Sequence, residues 1–335
     1  MLSKRQNFLE TIRGGKPDRF VNQYEFLSLM MKPGYVLPDP INGAYPSLVP
    51  GGPMVKGVWG VTMKLDEGQP GPMPQHDDAN KVLKDIKKWK DVVKMPKTDY
   101  PDSAWEESVK MAEAIDRNET FVTAFYLTGV FERLHYLMGM EDCMIAFYEE
   151  PGLMHELVEY VTDYELKFAA EITKHWKPDA LFHHDDWGTQ NSSFLSPEMF
   201  REFIKPAYKK IYGFYKSHGI QVLIHHSDSY AANLVPDMID LGVDVFQGCT
   251  SQNNVPELVK KFGGKISFMG DLNNGVLDKA DWTPELIHRE VERACRTNGK
   301  LYYIPCLTMG GPGSSYPGVY EAVTEEIDKM SKLMF

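Results

Sequence analysis

The stretch QVLIHHSDS, residues 221–229, sets three aliphatic side chains directly before two imidazoles, a hydroxyl and a carboxylate. A short apolar run bounded by polar residues has the length and composition of a buried strand rather than a helix. Working outward, the same grammar recurs in DALFHHDDWG (179–188), VDVFQGC (243–249), KISFMGD (265–271) and KLYYIPC (300–306), and upstream in FVTAFYL (121–127). Helical patterns separate these runs. Ser196-Pro197-Glu198 opens MFREFIKPAYKKIYGFYKSHG, which Gly219 closes, and similar signals frame 149–174 and 283–297. Strands alternating with helices imply parallel pairing through crossovers. FVNQYEF (20–26) and GVWGVTM (57–63) bring the candidate strands to eight. The sequence therefore predicts an α/β fold, a single (β/α)8 TIM barrel spanning 1–335 as one domain. A doubly wound sheet is disfavoured because the first strand-to-helix turn lacks a glycine fingerprint.

The segment from 30 to 80 breaks this rhythm. MKPGYVLPDPINGAYPSLVPGGP and EGQPGPMPQ are dense in proline and glycine, which predicts extended loops and a hairpin. Its aromatic and Met residues suit a lid over one end of the barrel.

Composition excludes several roles. With 36 basic against 47 acidic residues the chain carries a formal charge of −11, the wrong sign for a broad nucleic-acid footprint. The charged opening MLSKRQNFLETIRGGKPDR has no apolar core of a signal peptide, and no run is long enough to span a membrane. Four scattered cysteines, Cys143, Cys249, Cys295 and Cys306, do not make a disulfide framework, so a cytoplasmic location is expected. A symmetric homodimer is the base-rate expectation for assembly. P-loop, nucleophile-elbow, dinucleotide and H-E-x-x-H motifs are missing, and GGPGSSYPG (310–318) lacks the lysine of a phosphate loop.

In such barrels chemistry gathers where strands end. The runs end in His183-His184-Asp185-Asp186-Trp187, His225-His226-Ser227-Asp228, Gln247-Gly248-Cys249, Gly270-Asp271 and Pro305-Cys306. Zinc accepts imidazole, thiolate and carboxylate, and a catalytic site needs only three protein ligands. His226, Asp228 and Cys306 are the first choice, since His226 and Asp228 are two apart and share a face of the strand end. Alternation likewise sends His183 and His184 to opposite faces, with His184 and Asp186 expected to face the pocket. Each cysteine on its own is more simply a buried small side chain. The whole set points to a site, because buried charges are costly unless paired or metal-bound.

Four stretches carry a resemblance: KRQNFLETIRGGKPDR (4–19), TGVFERLHYLMGMEDCMIAFYEEPGLMHELVEYVTDY (128–164), HHDDWGTQNSSFLSPEMFREFIKPAYKKIYGFYKSHG (183–219) and IHHSDSYAANLVPDMIDLGVDVFQ (224–247). Together the chain resembles the uroporphyrinogen decarboxylase superfamily. That resemblance implies a (β/α)8 barrel and one of two chemistries, cofactor-free decarboxylation or zinc-dependent, corrinoid-linked methyl transfer. True decarboxylases carry an early arginine-rich signature that grips substrate carboxylates in forked contacts. Here Glu25-Phe26-Leu27-Ser28-Leu29-Met30-Met31-Lys32 holds no arginine.

The methyltransferase branch holds zinc with a His-x-Cys pair and a late Cys. The resemblance places these on His226, on Asp228 where Cys is expected, and on Cys306. An Asp donor makes the metal harder, better suited to polarising an ether or alcohol oxygen than to holding a thiolate. Aligning His225 puts Ser227 at the Cys position, and Cys249 is a replacement thiolate; both alternatives stay open. The expected function is a zinc-dependent methyltransferase moving a methyl group between a small methoxylated compound and a corrinoid protein, with His184 and Asp186 as proton relay or substrate contacts. No D-x-H-x-x-G cobalamin stretch is present, so the corrinoid is expected on a partner protein. The alternative is a cofactor-free decarboxylase acting on a tetrapyrrole or a smaller carboxylate.

Overall fold

The computed structural model describes residues 1–30, 48–69, 71–310 and 314–335. Ten strands are present among them, β1 (Leu27–Met30), β2 (Val55–Lys56), β3 (Thr62–Lys64), β4 (Met73–Pro74), β5 (Phe121–Tyr126), β6 (Ala180–His184), β7 (Val222–His226), β8 (Val245–Cys249), β9 (Ser267–Leu272) and β10 (Tyr303–Leu307). Seven form one parallel sheet in the order β1-β5-β6-β7-β8-β9-β10, surrounded by helices in a barrel-like α/β fold. Each neighbour in space is the next main-sheet strand in sequence, as singly wound crossovers require.

Two of the eight expected strands are corrected. GVWGVTM belongs to a separate antiparallel sheet, β2-β3-β4, because Gly60 takes φ +81° and turns the chain back, with Gly57 N–H donating to the Val61 carbonyl. FVNQYEF is a chain of turns, with Glu25 N–H bonded to Asn22 and Leu27 N–H to Tyr24. Gln23 is fully buried at φ 50°, and its side chain ties the turn before β1 to helix Val319–Met334 and to β10. Its amide donates to Thr324 Oγ1 at 2.8 Å and accepts from the Leu307 N–H at 3.4 Å.

Alternation along the strands creates two apolar layers. Inward residues Ala180, Phe182, Val222, Ile224, Val245, Met269, Ile304 and Cys306 fill the barrel. At one end Phe8 of the Lys4–Arg13 helix stacks on Phe26, centroids 3.9 Å apart, and plugs the interior. Outward residues such as Leu181, Leu223, Phe246 and Phe268 pack against the helices. The 26-residue helix Pro151–Trp176 is amphipathic and buries Leu157, Val161, Phe168 and Ile172. Downstream of the Ser196 cap, helix 197–217 widens into a π-helical turn at Phe200–Ile204, where Pro206 can donate no N–H.

The expected 30–80 lid is described in part: residues 31–47 and 70 lie outside the described residues, as do 311–313 of GGPGSSYPG. The small sheet packs sideways. Trp59 meets Tyr164 edge-on at 4.8 Å, and His76 Nε2 pairs with the Tyr136 carbonyl at 3.0 Å. None of the described helices is long and apolar enough to cross a membrane.

Candidate functional site

Strands β6 and β7 run side by side with His183 opposite His225 and His184 opposite His226. Alternation therefore sorts four imidazoles into two pairs. His183 and His225 point outward and are fully buried. His183 Nε2 meets Glu165 Oε1 at 2.6 Å, while His225 Nδ1 meets Tyr212 Oη at 2.7 Å and stacks on Trp187, centroids 3.7 Å apart. These rings are locked between sheet and helices, which removes His225 as an alternative mouth residue.

His184 and His226 face the barrel mouth and stack on each other with centroids 4.3 Å apart. His184 Nδ1 lies 2.9 Å from Glu132 Oε2. A carboxylate only accepts, so Nδ1 carries the proton. His226 Nδ1 is bonded to Gln247 Oε1. Asp186 completes the group, its Oδ1 4.0 Å from His226 Nε2. Among the described residues, His184, Asp186 and His226 are the one set of three or more metal-capable side chains whose donor atoms all lie within 4.8 Å of one another.

Asp185 sits behind this set. Its carboxylate accepts from the Phe131 N–H at 3.0 Å, the Glu132 N–H at 2.7 Å and Trp187 Nε1 at 2.9 Å, and from Tyr208 Oη. It thereby holds the start of helix Val130–Met138, from which Glu132 reaches His184. Gly129 permits this approach: a Cβ there would stand 2.4 Å from that of Asp185.

The electrostatics follow from burial and neighbours. Burial pulls the His184 imidazole down, but Glu132 and Asp186 outweigh it and raise it to about 10. Burial and the adjacent His184 lower His226 to about 4, leaving it neutral with a free nitrogen. Burial and the carboxylate of Asp186 raise Asp228 to about 7. Asp228 also gives its N–H to Asp186 Oδ1 at 3.1 Å. Three carboxylates thus crowd one partly enclosed mouth, Glu132, Asp186 and Asp228. Two imidazoles and a carboxylate are a donor set that suits a divalent ion.

His226, Asp228 and Cys306 do not gather in the same way. Asp228 borders the mouth through Asp186, but Cys306 is fully buried with the barrel-filling residues, its thiol donating to the Leu307 carbonyl at 3.1 Å. Burial pushes that thiol far up, toward the protonated form. The Tyr24 hydroxyl lies beside it and accepts from Gln247 Nε2 at 2.9 Å, so a phenol and an amide stand along the hydrogen-bonded path from Cys306 to His226. Cys249 turns away altogether. The register slips between Gln247 and Cys249, with Gly248 at φ +85°, and this bulge sends Cys249 to the helix side.

Sequence reasoning attached no role to Glu132, Gln247 or Tyr24. Gln247 carried a usable signal, a polar residue at an inward position of an apolar strand. Glu132 carried none, since it lies 52 residues from His184.

Comparison with known proteins bears on the same region. A family model described as Uroporphyrinogen decarboxylase (URO-D) matches residues 57–330, which contain the whole mouth except Tyr24. No curated protein matches the chain. Among solved structures, a methyltransferase from Methanosarcina mazei superposes with a TM-score of 0.65 at 12% identity, covering 98% of this chain and 99% of that one. At that identity the likeness concerns the fold.

Proposed function

The chain belongs to the uroporphyrinogen decarboxylase (URO-D) family, and from that premise we propose that it is a metal-dependent methyltransferase, moving a methyl group between a small methoxylated compound and a corrinoid carried by a separate partner protein. The observation that carries this reading is the cluster of His184, Asp186 and His226 in the mouth, a donor set that cofactor-free decarboxylation does not need. The arginine-free segment Glu25–Lys32 supports it, because a polyanionic tetrapyrrole requires forked cationic contacts. The name of the Methanosarcina structure is consistent with it.

A zinc ion, when bound, would supply Lewis acidity toward the ether oxygen and offset the charge on the departing alkoxide. In the demethylation direction the C–O bond would break with the methyl carbon passing to the cobalt(I) of the partner's corrinoid, and the alkoxide left behind would take a proton. Asp228 would hold that proton, a role supported by the hydrogen bond its carboxyl shares with Asp186. His226, neutral and stacked on His184, keeps the open nitrogen that a cation requires.

The test is to incubate zinc-loaded protein with a panel of methoxylated compounds and cob(I)alamin, then with candidate corrinoid proteins, following methylcobalamin by its visible spectrum. Zinc-dependent methylation of cobalt is expected. Turnover of a carboxylate with release of carbon dioxide by metal-free protein would replace this reading with the decarboxylase one.

A further inference from the structure

We infer that the cation site of this chain is an all-nitrogen-and-oxygen set, His184, Asp186 and His226, with Glu132 and Gln247 as positioning residues and no cysteine thiolate among the ligands. The inference rests on the reading above that the mouth holds a divalent ion, and it specifies which atoms hold it.

Gln247 is fully buried, and its side-chain nitrogen donates to Tyr24 Oη at 2.9 Å and to the Thr308 carbonyl at 3.3 Å. A carbonyl can only accept, so the NH2 end of the amide must face Thr308. The amide oxygen then faces His226, and Nδ1 must be the nitrogen that carries hydrogen. The unprotonated Nε2 of His226 is left on the side of Asp186. Glu132 imposes the same choice on His184. Two independent acceptors, one carboxylate and one amide, therefore turn both imidazoles the same way, as outer-sphere partners of metal-bound histidines do.

The cysteines fail on geometry. Cys306 spends its S–H on the Leu307 carbonyl and belongs to no set of three clustered metal-capable side chains among the described residues, and the Gly248 bulge turns Cys249 outward. The site would favour an ion and a substrate joined through oxygen rather than sulfur.

The experiment titrates the chelator-stripped full-length protein with cobalt(II) alone. One cobalt per chain is expected, with weak visible bands and no sulfur-to-cobalt charge-transfer absorption in the near ultraviolet. Cys306→Ala should bind cobalt as the wild type does. His226→Ala and His184→Gln should lose more than about 100-fold in affinity, and Gln247→Leu about 10–100-fold. Imidazole 15N NMR of the metal-free protein supplies a readout that mere packing would not move: His226 should be the Nδ1–H tautomer, becoming a mixture in Gln247→Leu. A charge-transfer band that disappears in Cys306→Ala would overturn this ligand set while leaving a metal-dependent methyltransferase standing. Folded protein that takes up no cobalt would overturn both.

Discussion

His184 and His226 stack face to face, centroids 4.3 Å apart and planes 21° from parallel, because their Cα atoms are register partners on adjacent parallel strands. The stack lets one side chain from each strand end meet Asp186 without any loop rearrangement. It also places the mouth's chemistry at the end of a five-pair parallel ladder.

The support behind His184 should be thermodynamically costly to remove. Asp185→Ala would leave two backbone N–H groups, an indole and a phenol without their acceptor in a buried site. A loss of roughly 3 kcal/mol or more is expected in urea unfolding. Asp185→Asn, which keeps one acceptor oxygen, should lose clearly less. Equal stability of wild type and Asp185→Ala would mean that helix Val130–Met138 is anchored by other means.

The bulge at β8 should tolerate no side chain. Gly248 has φ +85°, and a Cβ there would lie 2.8 Å from the Ser227 carbonyl carbon and 2.9 Å from the Asp228 nitrogen. Gly248→Ala is expected to cost about 2 kcal/mol or more from strain and displacement. It should also weaken cobalt uptake, because Gln247 adjoins the bulge. Calorimetric unfolding and a cobalt titration on the same preparation check both.

The pH behaviour of the metal-free protein follows from the Glu132–His184 pair. The folded-state pKa of His184, about 10, stands above the 6.5 of a free imidazole. The His184 contribution is therefore fully present below about pH 6.5 for as long as Glu132, itself raised by burial, stays ionised, and it is lost as pH rises through about 10. Imidazole NMR should show His184 doubly protonated at neutral pH, and binding of a divalent ion should release its Nε2 proton. An ion-binding enthalpy independent of the buffer's ionisation heat would contradict this.

Barrel closure should depend on one amide. Gln23→Ala removes the contacts that tie the turn before β1 to Thr324 of helix Val319–Met334 and to Leu307 of β10. Destabilisation of about 1–3 kcal/mol is expected. Hydrogen exchange should accelerate in β1 and β10 before it does in β6 and β7. Uniform acceleration across all strands would show that Gln23 contributes to global stability without acting as a seam.

Much of this molecule was legible in its sequence because the governing rules are local. The apolar runs are short, their polar tails are abrupt, and a period of two separates His183 from His184 and His225 from His226 wherever the strands lie. Local reading also marked the capped helices, such as the one after Thr283, whose hydroxyl accepts from Leu286 N–H at 3.2 Å. Tertiary structure decided what depends on neighbours distant in the chain. The ladder register set His184 beside His226, and the Gly248 bulge reversed the facing of Cys249. Seven strands form the main sheet among the described residues, and Gln23, in the turn before β1, reaches Leu307 of β10 with its side chain. Tyr24 and Gln247 meet behind His226 from positions 223 residues apart in the chain. Strand periodicity says which way a side chain points, but only packing across the barrel determines what it meets there.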